Sequence, residues 1–321
     1  MAETKTTPIR VTTAQIHQEL EDAQIQTLLK YYEVDYSNPF KPRFRPREGV
    51  EILVPEGEVL ELGPMLDFAN AITLSNRRRA YDRLRKLKPH LKPIVSIGDS
   101  WFLHPLLRDV INQLIDGHGY AVYSVDAAGA EIQNYAIDER WPRAIRDEGA
   151  RTVLISGGGN DLMGDHFGSY LNSYTPDDGT GVKRLLNAAF DEALSDVCDE
   201  YRTILQKIKD EFPGVKVFTH SYDYVLPRKG SQGKWLGKAM EKVGLNDPTE
   251  QKACIRHILD RFTTELKAIC QNEFAGIAFY IPRIVSVGQM QWDDEIHPTD
   301  DGFAVVAANF RAALTANGVE P

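Results

Sequence analysis

The sequence predicts an α/β protein: a three-layer α/β/α sandwich around a five-stranded parallel sheet, carrying an appended, mostly helical N-terminal segment. Three observations lead there. Short apolar runs rich in Val and Ile recur five times from Pro93 onward, stretches with helical spacing separate them, and residues 1–92 break that rhythm. Strands alternating with helices build βαβ units, whose right-handed crossovers give a parallel sheet covered on both faces. A flavodoxin-like strand order is expected, with reactive groups gathered at the carboxyl edge of the sheet.

Each element has its own warrant. The strands are "PIVSIGD" (93–99), "YAVYSVDA" (120–127), "RTVLISG" (151–157), "VKVFTHS" (215–221) and "IAFYIP" (277–282). Their β-branched and apolar content, without polar alternation, is that of strands buried on both sides. Helical spacing runs over 105–117, 130–148, 182–211 and 248–273, with a last helix after Pro298. Ahead of residue 93 the sequence predicts a helix over 14–34, a Pro- and Arg-rich connector "NPFKPRFRPREG", a strand-like "VEILVP" and a long helix over about 64–88. The chain thus divides into 1–92, read as packing on the main domain or serving association into a homo-oligomer, and a domain over 93–321.

Composition narrows the function. With 42% apolar and 26% charged residues, the 321-residue chain is an ordinary globular protein. Its net charge of −9 argues against nucleic acid as a partner, because a phosphate backbone calls for clustered positive charge. The basic stretch "NRRRAYDRLRKLKPHLK" (76–92) reads as a solvated helix face. The N-terminus has no apolar core of signal-peptide type and no run is long enough to span a bilayer, so a cytoplasmic protein without a transmembrane anchor is expected. Cys198, Cys254 and Cys270 form neither a disulfide framework nor a metal-ligand pattern, and no cofactor or metal is implied.

The chemistry lies where the predicted strands end. The first strand delivers Ser100, the second runs into Gly129, and the third gives "ISGGGNDLM" with Asn160 and Asp161. The three glycines of that third turn are expected to let the backbone approach a ligand closely. Far downstream, "WDDEIHPTDDGF" sets Asp294 three residues before His297. Singly these are short motifs of low specificity; jointly they supply every part that acyl transfer needs. A serine hydroxyl attacks only when a base takes its proton, and imidazole titrates near neutrality. Asp294 would hold the far ring nitrogen of His297, fixing the tautomer and stabilising the imidazolium. The oxyanion would find three donors: the backbone N–H groups of Ser100 and Gly129 and the Asn160 carboxamide.

At these residues the chain resembles the SGNH, or GDSL, hydrolases, a family of esterases and lipases whose four blocks carry Ser, Gly, Asn and His in that order. The matching stretches are Gly98-Asp99-Ser100, Gly129, Gly159-Asn160-Asp161 and Asp294-x-x-His297-Pro298, with Trp292 ahead of the last. The resemblance spans 93 to about 316. Gly117 and Gly119 lie near the second block, and position after strand two favours Gly129. Where the family has Leu after Gly-Asp-Ser, this chain has Trp101 and Phe102, read either as narrowing the substrate pocket or as core. The resemblance implies a hydrolase of carboxylic esters, small-molecule or lipid-like, working through an acyl-enzyme on Ser100. Acyl transfer or thioester cleavage would use the same residues, and a non-catalytic binding module on a retained fold is the other alternative.

Two rivals fit less well. The α/β-hydrolase elbow needs Gly-x-Ser-x-Gly, and Phe102 stands where its second glycine would be. A metallophosphoesterase needs several converging ligands, whereas the sole Asp-x-His is Asp116-Gly117-His118, and Asp165-His166 falls in an insertion. Insertions at 164–181 and 227–248 sit where substrate rims vary; the second reads as a lid hinged at Gly230 and Gly233 and anchored by Trp235. Trp101, His220 and Trp235 are the expected substrate-binding residues, while His104, His118 and His257 are read as structural or exposed.

Overall fold

Five parallel strands form the central sheet of the computed structural model. The residues described are 9–12, 28–35, 43–53, 65–174, 185–233, 235–283, 287–288 and 291–321. In chain order the N-terminal region holds β1 (Ile9–Thr12), α1 (Leu28–Tyr31), β2 (Tyr32–Asp35), β3 (Arg43–Pro46), β4 (Val50–Leu53) and the 23-residue α2 (Met65–Leu87). The sheet and its helices follow as β5 (Ile94–Gly98), α3 (Val110–Asn112), β6 (Val122–Ser124), α4 (Ile132–Ala136), α5 (Arg140–Glu148), β7 (Thr152–Ser156) and α6 (Gly159–Met163). Then come α7 (Ala188–Glu211), β8 (Lys216–Thr219), α8 (Leu236–Lys242), α9 (Pro248–Ala268), β9 (Ala278–Tyr280) and α10 (Asp300–Ala316).

Counted within the sheet the order is 2-1-3-4-5, the flavodoxin-like arrangement the βαβ rhythm predicts. Every residue of the central strands β5 and β7 is buried, which is why both read as unbroken apolar runs. β5 pairs with β6 on one side (Ile94 opposite Val122) and with β7 on the other (Ile94 opposite Thr152). Because all four ladders are parallel, the loops after β5, β6, β7 and β8 open on one edge. α3 and α10 pack on one face and α4, α5, α7 and α9 on the other, while α2 runs along the edge strand β6 and bonds Asn112 of α3 and Glu148 of α5.

Details depart from the sequence reading. The expected helix over 14–34 gives way at Tyr32 to β2, which pairs antiparallel with β3 and carries a Glu33–Arg45 ion pair at 2.7 Å. Two aromatics and a valine in "YYEVD" favour a pleated strand over a helix end; residues 14–27 of that expectation lie outside the described ones. β1 and β4 form a second, parallel pair. The 105–117 helix is short, passing at Gln113 into a π turn, and 130–148 divides into α4 and α5 around Ile137–Glu139. No described helix is long and apolar enough to cross a membrane.

Candidate active site

The strand β5 ends at Gly98, and the turn Asp99–Ser100 delivers the serine at the carboxyl edge. The bend is tight: a Cβ on Gly98 would lie 2.6 Å from the Phe102 ring, so only glycine fits under that fully buried side chain. Asp99 is buried and faces away from solvent, accepting from the Trp101 N–H at 3.0 Å, from the Ser156 hydroxyl at 3.2 Å and from the Tyr222 phenol. Burial pushes its carboxyl up against the pull of those bonds.

Residue 297, far along the chain, returns to this edge. His297 Nε2 lies 2.8 Å from Ser100 Oγ, and its Nδ1 lies 2.8 Å from Asp294 Oδ2. The other Asp294 oxygen accepts the backbone N–H groups of Ile296 (2.8 Å) and His297 (2.7 Å), so the three-residue spacing closes a turn that aims the carboxylate at the ring. All three side chains are nearly buried. For His297, burial alone would lower the pKa; the adjoining Asp294 carboxylate, then Asp99 and Asp293, outweigh it and raise the ring above its usual value. For Asp294, burial would raise the pKa, and the imidazolium charge with three hydrogen bonds holds it below the usual value instead.

The expected oxyanion donors stand on the neighbouring loops. Gly129, at φ +78°, turns the chain after β6, and Asn160 opens α6 after β7. Asn160 Nδ2 donates to the Ala130 carbonyl at 2.8 Å, bracing one loop with the other. Among the described residues, no protein acceptor takes the backbone N–H of Ser100 or of Gly129. Semi-buried N–H groups are rarely left so, and two at one edge form a site ready to receive negative charge.

The glycines at 157–159 do something other than the sequence reading expects. A Cβ on Gly157 would meet Ile132 at 2.6 Å, on Gly158 the Phe262 ring at 2.9 Å, and on Gly159 the Tyr222 ring at 2.9 Å. The close approach of each Cα is to the protein's own side chains, while Gly159 also lines the cleft at Ser100. Tyr222 itself is the one described non-glycine residue at positive φ (+63°), a conformation costing roughly 1–3 kcal/mol. Its phenol donates to Asp99 and accepts the Gly159 N–H at 3.1 Å, tying the Ser100 turn to the Asn160 turn.

Of the residues expected to meet substrate, Trp101 lines a cleft at Ser100 together with Met163, Val225 and Ile296. It is also core: 3% exposed, with its indole N–H on the Ile296 carbonyl at 3.0 Å. His220 is not among the residues lining that cleft; it lines a separate one with Trp101, Tyr222 and Phe310. Its ring is sandwiched among Trp101, Phe102 and Tyr222, bonds Ser156 Oγ at 3.0 Å, and is lowered by burial to about 3, hence neutral. Trp235 packs edge-on against His297 at 6.2 Å. His104, 4.7 Å from the His297 ring, is likewise held neutral, at about 3, by burial, while its Nδ1 accepts the Leu106 and Leu107 N–H groups.

Sequence reasoning missed Glu295. This carboxylate, 1% exposed between Asp294 and His297, accepts the backbone N–H groups of Trp235 (2.6 Å), Gly237 (2.8 Å) and Arg228 (2.9 Å). Arg228 in turn donates to the Trp292 and Asp293 carbonyls. The insertion read as a hinged lid is therefore latched to the loop that carries His297. Gly233 serves a close approach rather than a hinge: a Cβ there would lie 2.2 Å from the Arg228 carbonyl oxygen. Residues 175–181 of the other insertion lie outside the described ones. No group of three His, Cys, Asp or Glu among the described residues is arranged to hold a metal ion.

No family model matches the sequence. No curated protein matches it either. Among solved structures, the chain is similar to an extracellular lipase from Streptomyces rimosus, at 13% identity and a TM-score of 0.45 over 69% of this chain and 99% of that one. It is similar to phospholipase A1 from Streptomyces albidoflavus at 14% identity and a TM-score of 0.44, over 70% and 99%. A carbohydrate esterase of family 3 from Talaromyces cellulolyticus matches at 12% identity and 0.40, over 71% and 98%. At these values the likenesses carry no argument about activity, which rests on the geometry above.

Proposed function

We propose that the protein is a serine hydrolase of the SGNH type that cleaves a carboxylic ester through an acyl-enzyme on Ser100. The observation that carries this reading is the hydrogen-bonded relay from Asp294 through His297 to Ser100, with both contacts at 2.8 Å, beside two N–H groups that have no acceptor among the described residues. As Ser100 Oγ bonds to the ester carbon, its proton passes to His297 Nε2. Asp294 stabilises the imidazolium without taking the proton. The oxyanion takes up hydrogen bonds from the Ser100 and Gly129 N–H groups and the Asn160 carboxamide. His297 then protonates the leaving alkoxide as the carbon–oxygen bond breaks, and the alcohol departs. A water attacks the acyl-enzyme, gives its proton to His297, and the carboxylic acid leaves as that proton returns to Ser100.

The cleft beside Ser100 has apolar walls at Trp101, Met163, Val225 and Ile296, which suit an acyl group. Turnover of p-nitrophenyl esters of graded chain length by the wild type and by Ser100→Ala tests the reading. Ester turnover by the wild type that is abolished in Ser100→Ala supports it; equal rates for the two proteins refute it.

A further inference from the structure

Helix α2 (Met65–Leu87) precedes every motif of the hydrolase reading, yet it touches the candidate oxyanion loop directly. Asn70, 7% exposed, pairs with both polar groups of one residue: its Oδ1 accepts the Ala128 N–H at 3.2 Å and its Nδ2 donates to the Ala128 carbonyl at 3.4 Å. Ala128 immediately precedes Gly129. On the other side Asn160 holds Ala130, and behind it the Ala127 N–H bonds the Gly98 carbonyl at 2.8 Å, on the strand that leads to Ser100. Two carboxamides thus grip the three-residue turn from opposite sides.

The register of α2 is fixed by a second contact. Arg77, two turns on and so on the same helix face, is 5% exposed and ion-paired with Asp109, with Asp126 at 3.6 Å. It also donates to Asn112 Oδ1 at 2.9 Å, to Ser124 Oγ at 3.2 Å and to the Phe102 carbonyl. A buried guanidinium with this many partners has one position along the helix axis and one rotation about it, and both set where the Asn70 carboxamide lies.

We infer that Asn70 is a positioning residue for the Gly129 oxyanion donor, so that α2 belongs to the catalytic module although it lies outside the segment that carries the motifs. The inference rests on the proposed hydrolase function. Asn70 touches no reacting atom; it acts by holding Ala128, and a displacement on the order of 1 Å in such a donor lowers turnover about 100-fold.

The test uses the full chain with Asn70→Leu, which removes both hydrogen bonds at similar volume, and Asn70→Ala, which removes them and keeps a strong helix former. The readouts are kcat and KM on a short-chain p-nitrophenyl ester, inhibition by a trifluoromethyl ketone that forms a hemiketal oxyanion on serine, and inhibition by the p-nitrophenol product. The expected result is a roughly 10- to 100-fold lower kcat with KM within about twofold. The trifluoromethyl ketone inhibition constant should rise by the same factor and that of the p-nitrophenol product, which makes no contact with the oxyanion donors, should not change. A merely structural role would lower the amount of active protein and leave both inhibition constants alone, and either folded variant with the wild-type kcat and ketone affinity overturns the inference. If the wild type shows no Ser100-dependent turnover, the functional reading fails first; if it does and the Asn70 variants match it, this inference alone fails.

Discussion

Replacing Asp294 by Asn alters one atom and should nearly abolish turnover. Asp294 Oδ1 is held by two backbone N–H groups, at 2.7 and 2.8 Å. An asparagine keeps its carbonyl oxygen on those donors, which leaves its NH2 group facing His297 Nδ1. That nitrogen must then be the acceptor, so the ring proton moves to Nε2, the atom 2.8 Å from Ser100 Oγ. The base that should receive the serine proton already carries one. A wrong tautomer of this kind costs about 10⁴ in kcat in the serine-protease template, equivalent to about 5 kcal/mol of transition-state stabilisation. The assay is kcat on a short-chain p-nitrophenyl ester from pH 5 to 9, with a thermal melt to show that the variant is folded. Loss of the carboxylate also removes the main cause of the raised His297 pKa, so any residual acid limb should move to lower pH. A folded Asp294→Asn enzyme within tenfold of wild type, with an unmoved pH profile, would refute the tautomer argument.

Further predictions follow from the same contacts. The raised His297 pKa places the acid limb of wild-type kcat/KM above pH 6.5, because the ring must be neutral to act as base; a limb centred at or below 6.5 contradicts the assignment. The two shifts have opposite signs for stability. His297, raised, stabilises fully below about pH 6.5 and loses this as pH rises through its folded value; Asp294, lowered, stabilises above about pH 3.8 and loses this as pH falls through its own. The thermal midpoint of wild type should therefore exceed that of Asp294→Asn by more at pH 5 than at pH 9, and an equal gap at both would count against the pairing. In Glu295→Gln an NH2 group must face one of three backbone N–H donors, at a cost of roughly 1.5–3 kcal/mol in denaturant unfolding, with a lower kcat as the His297 loop loosens. Arg77→Met leaves Asp109 and Asp126 buried without their cation and should cost about 3–5 kcal/mol, read by the same unfolding experiment.

The strands of the sheet are legible in the sequence because a parallel strand covered on both faces must be apolar throughout, as Ile94–Gly98 and Thr152–Ser156 are. The candidate site is legible for a related reason: topology forces loops at one edge to meet, so Ser100, Gly129, Asn160 and His297 could be grouped from strand order alone. Residues whose role depends on a distant partner leave no such trace. Glu295 reads as one more acid in "WDDEIHP" until the insertion donates three N–H groups to it. Asn70 reads as a helix-surface polar residue until Ala128 closes on it. Gly157, Gly158 and Gly159 suggest room for a ligand, but Ile132, Phe262 and Tyr222, none of them near in sequence to all three, fill that room. Tyr222 carries no local signal at all, since nothing in "HSYDY" announces a positive φ. The insertion over 227–248 has the composition of a mobile loop, and only the contact with Glu295 reveals it as a brace.

The central claim is that one hydroxyl out of many in this chain is made nucleophilic by its neighbours. Incubation of the intact protein with a fluorophosphonate, followed by peptide mass spectrometry, reads this directly. A single adduct on the peptide containing Ser100, lost in Ser100→Ala and slowed by orders of magnitude in His297→Ala, is the predicted result. Wild-type protein that stays unlabelled, or that carries its adduct on another residue, would contradict it.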